Sequence, residues 1–180
     1  MPRYDCTLWT LLKNSELTSS NEIALSERLQ ILTVMLEVVI HIQAKGYCHL
    51  DIKPSNVLVK LNEKGNWNHQ DIVLTDFGLC LRKWDMSKLT SCSGTPGFAS
   101  LEQFLGGPTM RSDNYSLGKT AILILFKWQL GWNLLAQPLT PSQFQGHLLK
   151  NTLVAKIISN LLHVSSFNNM SNIIINNKLI

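Results

Sequence analysis

The sequence predicts an α+β chain, mostly helical with a small sheet. Three observations carry this. Residues 26–45, "SERLQILTVMLEVVIHIQAK", place Leu29, Leu32, Met35, Leu36, Val39 and Ile42 three and four apart, the spacing of one buried helical face. Four short runs rich in β-branched or large apolar residues follow, at 47–49, 57–60, 72–75 and 79–81, and read as strands. A second apolar run then starts at Asp113 and continues to about Leu130, long enough for another core helix.

The elements can be justified in order. The first long helix has Ser26 as its expected cap and Gly46 as its stop. "LNEKGNWNHQ", residues 61–70, is polar and turn-rich, so it reads as an exposed hairpin loop carrying Trp67 at the surface. Residues 82–112 hold Gly94, Pro96, Gly97, Gly106, Gly107 and Pro108, too many helix and strand breakers for regular structure. Further helices are expected at 141–149 and 152–163, with a short, fraying helix at the Asn-rich end.

Composition narrows the function classes. The 180 residues suit one domain. A net charge of +4 with scattered Lys and Arg does not suggest nucleic acid as a partner. Cys6, Cys48, Cys80 and Cys92 form no C-x-x-C pair, so neither zinc nor a disulfide framework is expected. The run at 121–136 is interrupted by Lys127 and falls short of the ~20 apolar residues of a membrane span, so a buried helix is expected there and no membrane partner. Residues 1–20 have no secretory-type apolar core, which makes the cytoplasm the default location.

Two stretches carry chemistry. "YCHLDIKPSNVLV", residues 47–59, sets His49, Asp51, Lys53 and Asn56 just before a strand. An aspartate held in a tight loop suits a general base. Lys53, kept extended by Pro54, could neutralise a phosphate, and Asn56 offers a neutral oxygen to a hard metal ion. The other is "LTDFGL", residues 74–79, where Asp76 follows a strand. Alone, Asp-Phe-Gly is an ordinary turn and the first stretch a polar loop; together and in this order they pair a base with a carboxylate suited to Mg²⁺.

With these residues in place, the chain resembles a eukaryotic protein kinase of the Ser/Thr type. "HLDIKPSN" is similar to the catalytic-loop pattern H-R-D-x-K-x-x-N, and "DFG" to the metal-binding motif. "GTPGFASLE", residues 94–102, is similar to the end of an activation segment, and "SDNYSLG", residues 112–118, to the start of the central helix of the large lobe. "MPRYDCTLWTLL" looks like the hinge and the helix after it. The resemblance implies a kinase-like large lobe over 1–180: hinge and helix at 1–15, long helix at 26–45, catalytic loop region at 47–60, activation segment at 76–102, helical subdomain at 113–180. It implies Asp51 as catalytic base, Lys53 as phosphate contact, Thr95 as the bridge between them, and Asn56 and Asp76 as ligands of Mg²⁺ and hence of ATP. His49, Phe77, Gly78, Glu102 and Asp113 are implied as structural support, Asp113 by holding the loop's backbone from below. The implied partner is a protein substrate offering a serine or threonine hydroxyl.

Three departures qualify this. Leu50 stands where the family usually has Arg, so a phosphate on Thr90, Ser91 or Ser93 has no obvious acceptor and activity should not depend on one. The usual Ala-Pro before the glutamate reads Ser100-Leu101, and no Arg follows Arg111 to pair Glu102; Asn168 and Asn169 occupy that region, so Glu102 is expected to be exposed or badly satisfied. The sequence contains neither G-x-G-x-x-G nor V-A-I-K, the small-lobe segments that cover ATP. The expectation is therefore a large lobe alone, weak or inactive by itself, with an absent small lobe or a partner to cover the cleft. A pseudokinase-like binding module and a non-functional gene fragment are the alternatives.

Overall fold

The computed structural model describes residues 3–17, 23–63, 67–89, 91–126 and 161–162. The helix expected at 141–149, the end of the chain and Asn168–Asn169 lie outside these residues. Of the helix expected at 152–163, Leu161 and Leu162 are described, and they are helical.

Two long helices make the core pair, α2 (Leu25–Ala44) and α4 (Ser112–Leu125). Helix α2 buries Ile31, Leu32, Met35, Leu36 and Val39, while Leu29 and Ile42 flank that face and are only partly buried. Its start differs from expectation. Ala24 is the last extended residue, and the Glu27 carboxylate reaches back to accept the Ala24 N–H at 2.9 Å. Ser26 therefore sits inside the first turn rather than capping it; the glutamate answers a free N–H at the helix start. Its end is as expected, with Gly46 in the left-handed region at φ +79° and its N–H bonded to the Gln43 carbonyl.

Arg28 locks α2 to α4. It is buried, and its guanidinium donates to the carbonyls of Ile124 (2.9 Å) and Phe126 (3.4 Å) at the end of α4, and of Ile23 (3.0 Å) before α2. Carbonyls at a helix C-terminus lack helical partners and carry partial negative charge, so a guanidinium answers both needs. From Ser112 to Leu125 only Tyr115 is not fully buried, which makes α4 the central post of the described fold.

The strands are short and antiparallel. The two-residue strand β1 (Cys6–Thr7), not expected from sequence, runs directly into α1 (Leu8–Leu17). It pairs with β3 (Val57–Val59), which pairs on its other side with β4 (Ile72–Leu74). Val57 and Val59 point into the core while Leu58 is half-buried, the alternation of a one-sided sheet. A separate ribbon joins β2 (Tyr47–Cys48) to β5 (Leu81–Arg82), register Cys48 with Leu81. The strand expected at 79–81 thus starts later, because Phe77–Leu79 closes into a 3₁₀ turn after the left-handed Asp76. Trp67 is half-buried against the main core, not displayed at the surface as its polar neighbours suggested. Within 82–112 the chain is mostly irregular, with a 3₁₀ segment at Lys83–Lys88 and a one-turn helix, α3 (Leu101–Phe104). Among the described residues no helix is long and apolar enough to cross a membrane.

Candidate active site

The loop between β2 and β3 is built from below. The carboxylate of Asp113, fully buried in the first turn of α4, accepts the backbone N–H groups of His49 and Leu50, both at 2.7 Å. Burial pushes the Asp113 carboxyl up to about 6, against the pull of these two bonds. The clamp holds Leu50 at φ +64°, a left-handed conformation that a branched residue adopts only when its surroundings impose it. The imidazole of His49 adds a second brace. Its Nε2 lies 2.9 Å from the Thr75 carbonyl and its Nδ1 accepts the Asp51 N–H at 3.3 Å, a pattern the neutral Nε2–H tautomer satisfies. Burial lowers its pKa, outweighing the Thr75 carbonyl and the Asp51 and Asp76 charges, which favour the proton.

On this base the polar residues converge. Asp51, 8% exposed, is held through both oxygens. Oδ2 takes the Lys53 ammonium at 2.7 Å and the Asn56 amide at 2.9 Å, and Oδ1 takes the Thr95 hydroxyl at 2.6 Å. Lys53 Nζ also donates to Thr95 Oγ1 at 2.7 Å, so base, lysine and threonine form a closed triangle. Thr95 comes from 42 residues beyond Lys53, brought back by a turn in which its carbonyl accepts the N–H groups of Phe98 and Ala99. Burial pushes the Asp51 carboxyl up, but the bonds from Lys53, Thr95 and Asn56, with the Lys53 charge, hold it below its ordinary value.

The Asp76 turn is tied to the same loop through its neighbours. The Thr75 N–H donates to the Asn56 carbonyl at 2.8 Å, its carbonyl meets His49, and the Phe77 ring sits edge-on to His49 with centroids 4.7 Å apart. Asp76 itself is exposed and left-handed at φ +63°, and Phe77 is 49% exposed. A β-carbon on Gly78 would come within 3.3 Å of Asp76 Oδ1, so glycine keeps that carboxylate uncrowded. Because Asn56 spends its Nδ2 on Asp51, its side-chain Oδ1 is the atom that could serve a metal. One exposed carboxylate and one amide oxygen fit Mg²⁺, which completes its shell with phosphate oxygens and water.

A model of the protein kinase domain family matches residues 5–172. The chain belongs to that family. Among curated relatives, serine/threonine-protein kinase PknA of Nostoc sp. is 36% identical over 104 residues, 53% of this chain and 17% of that protein. A dual serine/threonine and tyrosine protein kinase of Apis mellifera is 32% identical over 132 residues, 73% of this chain and 12% of that protein. The solved structure of vaccinia related kinase 3 superposes with a TM-score of 0.66 at 16% identity, over 96% of this chain and 59% of that one, a likeness of fold. The chain thus spans a minor part of the length of these curated relatives.

The two unusual positions have different fates. Leu50 is 1% exposed and packs with Cys48 and Met86, flanked by Leu81 and Met110. An apolar contact to the 3₁₀ segment at Lys83–Lys88 thus stands where an arginine would reach for a phosphate. Glu102 is half-buried rather than exposed, and its Oε1 accepts the Ser112 hydroxyl at 3.1 Å. It lines a cavity of about 470 Å³ with Ser100, Thr109, Arg111, Tyr115 and Leu162 among others. Burial, and then the Glu102 charge, raise the pKa of Tyr115 beside it. The sequence reading missed two buried amides, Gln43 and Gln103. Gln43 donates to the Met110 carbonyl and to Asn114 Oδ1, both at 2.9 Å, bracing α2 against the start of α4. A glutamine on an apolar helical face is the signal that could have found Gln43.

Proposed function

We propose that this chain carries the phosphoryl-transfer face of a protein kinase that acts on serine and threonine hydroxyls of protein substrates. The observation behind the proposal is the closed triangle of Asp51, Lys53 and Thr95, with Asn56 against its base. A carboxylate kept ionised at neutral pH is available to take the proton of an incoming hydroxyl. Lys53, 19% exposed at its side chain, holds a positive charge beside that carboxylate, where a transferred phosphoryl group would need neutralising. Thr95 keeps the two in register. Asn56 and Asp76 would hold Mg²⁺; ATP with Mg²⁺ supplies the phosphoryl group and spreads its charge. Lys53 two residues after Asp51, the presence of Thr95, and the name of the Nostoc relative support the Ser/Thr reading.

The reading includes a division of labour. The 180 residues hold neither a G-x-G-x-x-G loop nor a V-A-I-K strand, so the nucleotide's cover must come from another segment or a partner. Transfer depends mainly on positioning, and half a clamp positions poorly. The chain alone should therefore bind Mg·ATP weakly. Because Leu50 makes an apolar contact, activity should also survive phosphatase treatment.

Calorimetric titration with Mg·ATP, beside a phosphorylation assay on a generic Ser/Thr substrate, tests this on the chain alone and with a supplied glycine-rich loop and strand lysine. We expect weak binding alone and transfer on completion, lost by roughly 10²–10⁴ in Asp51→Asn. Transfer indifferent to Asp51→Asn would sink the assignment. Mg·ATP binding without transfer in the completed protein would favour a binding module.

A further inference from the structure

Gln103 occupies a position that the network around Asp51 does not by itself explain. It is fully buried, on α3, immediately after Glu102. Its side-chain Nε2 donates to the Leu50 carbonyl at 2.6 Å, across 53 residues. That carbonyl belongs to the peptide group whose N–H is that of Asp51. The orientation of this one peptide plane decides where the Asp51 carboxylate points. Leu50 stands at φ +64°, a conformation that does not hold itself for a residue with a β-carbon. Three bonds impose it: Leu50 N–H to Asp113 Oδ1 at 2.7 Å, Asp51 N–H to His49 Nδ1 at 3.3 Å, and the Leu50 carbonyl from Gln103.

The same amide also touches the other side of the triangle. Gly94, at φ +87°, lies so close that a β-carbon there would run into Gln103 Nε2 and come within 2.9 Å of the Ala99 β-carbon. Gly94 precedes Thr95, whose hydroxyl reaches Asp51 Oδ1 at 2.6 Å. One side chain thus contacts the peptide that aims Asp51 and the residue that leads into Thr95.

We propose that Gln103 is a positioning residue: its amide sets the Leu50–Asp51 peptide plane and seats Gly94 against it, so that the Asp51 carboxylate and the Thr95 hydroxyl meet. Its role as an aid to transfer rests on the phosphotransfer reading above; the positioning itself does not. The Gln103 Oε1 accepts no bond among the described residues, so the donor half alone does the work. Gln103→Met keeps the bulk and removes the donor. Gln103→Glu sets a carboxylate oxygen against the Leu50 carbonyl oxygen, where two acceptors repel.

The test is amide hydrogen exchange at the Asp51 N–H in the full 180-residue chain, for the wild type, Gln103→Met, and Leu105→Ala as an exposed neighbour on the same segment. In Gln103→Met protection of the Asp51 N–H should fall by about tenfold or more, because the peptide plane is no longer held at its carbonyl; in Leu105→Ala it should stay at the wild-type value. A Gln103→Met protection equal to that of the wild type, in a variant that keeps the native near-ultraviolet spectrum, overturns the proposal. A second measurement covers a variant that does not fold. In the wild type one Gln103 side-chain amide proton should be protected from exchange as well as the Asp51 N–H; a freely exchanging amide overturns the proposal equally. In the completed kinase, Gln103→Met should lower kcat by roughly 10- to 100-fold with KM for Mg·ATP unchanged, since misplacement by about 1 Å can cost that much. Absence of transfer would sink the phosphotransfer reading and leave the exchange result standing, whereas unchanged exchange would sink the positioning role alone.

Discussion

The loop that carries Asp51 and the turn that carries Asp76 lie side by side yet are built on opposite plans. Asp51 is nearly buried, accepts bonds from three other side chains and stands on the Asp113 clamp. Asp76 is exposed, and among the described residues the bonds and ring contact that tie its turn to the loop come from its neighbours Thr75 and Phe77. The difference follows from what each group would have to do. A base must be aimed before its substrate arrives, and fixed dipoles aim it at no cost during the reaction. A magnesium ligand is directed by the ion and the phosphates it binds, so the protein need only leave it uncrowded. The first region can be complete without a ligand; the second would be completed by one.

The largest expected effect separates the two by stability. Asp113→Ala leaves the buried N–H groups of His49 and Leu50 without acceptors, at about 1–3 kcal/mol each, less whatever relief comes from removing a carboxylate already raised by burial. Asp76→Ala removes an exposed side chain and should change stability by no more than about 0.5 kcal/mol. Denaturant unfolding of the two variants side by side checks this. Equal losses would abolish the distinction between a built loop and an open turn.

A smaller effect sharpens the same contrast. Leu50→Ala empties the apolar contact with Cys48 and Met86 and should cost roughly 2–4 kcal/mol, toward the lower end if the cluster collapses into the space. Leu50→Gly loses the same packing but relieves the left-handed φ, worth about 1–2 kcal/mol for a residue with a β-carbon. Glycine should therefore be no worse than alanine here, the reverse of the order at a helix interior. A glycine variant clearly less stable than the alanine one in denaturant would show that the clamp does not strain Leu50.

These results mark how far sequence reading reached. Asp51, Lys53 and Asn56 lie within five positions and were legible because local spacing places them together, whereas Thr95, 42 residues beyond Lys53, was legible only through the family likeness. Asp113 was legible only through the family likeness. Arg28 and Gln103 were not, since their partners are backbone carbonyls 96 and 53 residues away, and any residue type supplies a carbonyl. The start of α2 was misplaced because Ser26 is a good cap by type, while the bond that forms comes from Glu27 reaching back to Ala24, whose own side chain contributes nothing. Strand β1 escaped because two residues have no pattern; pairing with Leu58 and Val59 makes them a strand. The long helices were legible because twenty residues of periodic burial average out such accidents.

The smallest effect is a pH dependence in which two groups of the loop oppose each other. Asp113 has its pKa raised to about 6, so between the ordinary carboxylate value near 4 and that point the native state holds more proton than the unfolded chain. Its contribution to stability therefore grows as pH falls through that window. His49 has its pKa lowered by burial, so below about 6.5 the unfolded chain takes up the proton first and stability falls with pH. Asp51, with its carboxyl held low, keeps its contribution through this window and loses it only in stronger acid. Each proton of difference is worth at most about 1.4 kcal/mol per pH unit, and with opposite signs the net slope between pH 4 and 6 should be shallow. Substitution separates the two. His49→Gln should leave a chain whose stability rises on acidification over this range, and Asp113→Asn one whose stability falls more steeply than the wild type. Urea unfolding at half-unit intervals of pH reads both slopes. Parallel curves for the two variants would mean that the clamp and the histidine titrate as one unit, and the loop would then be a single coupled site rather than two independent braces.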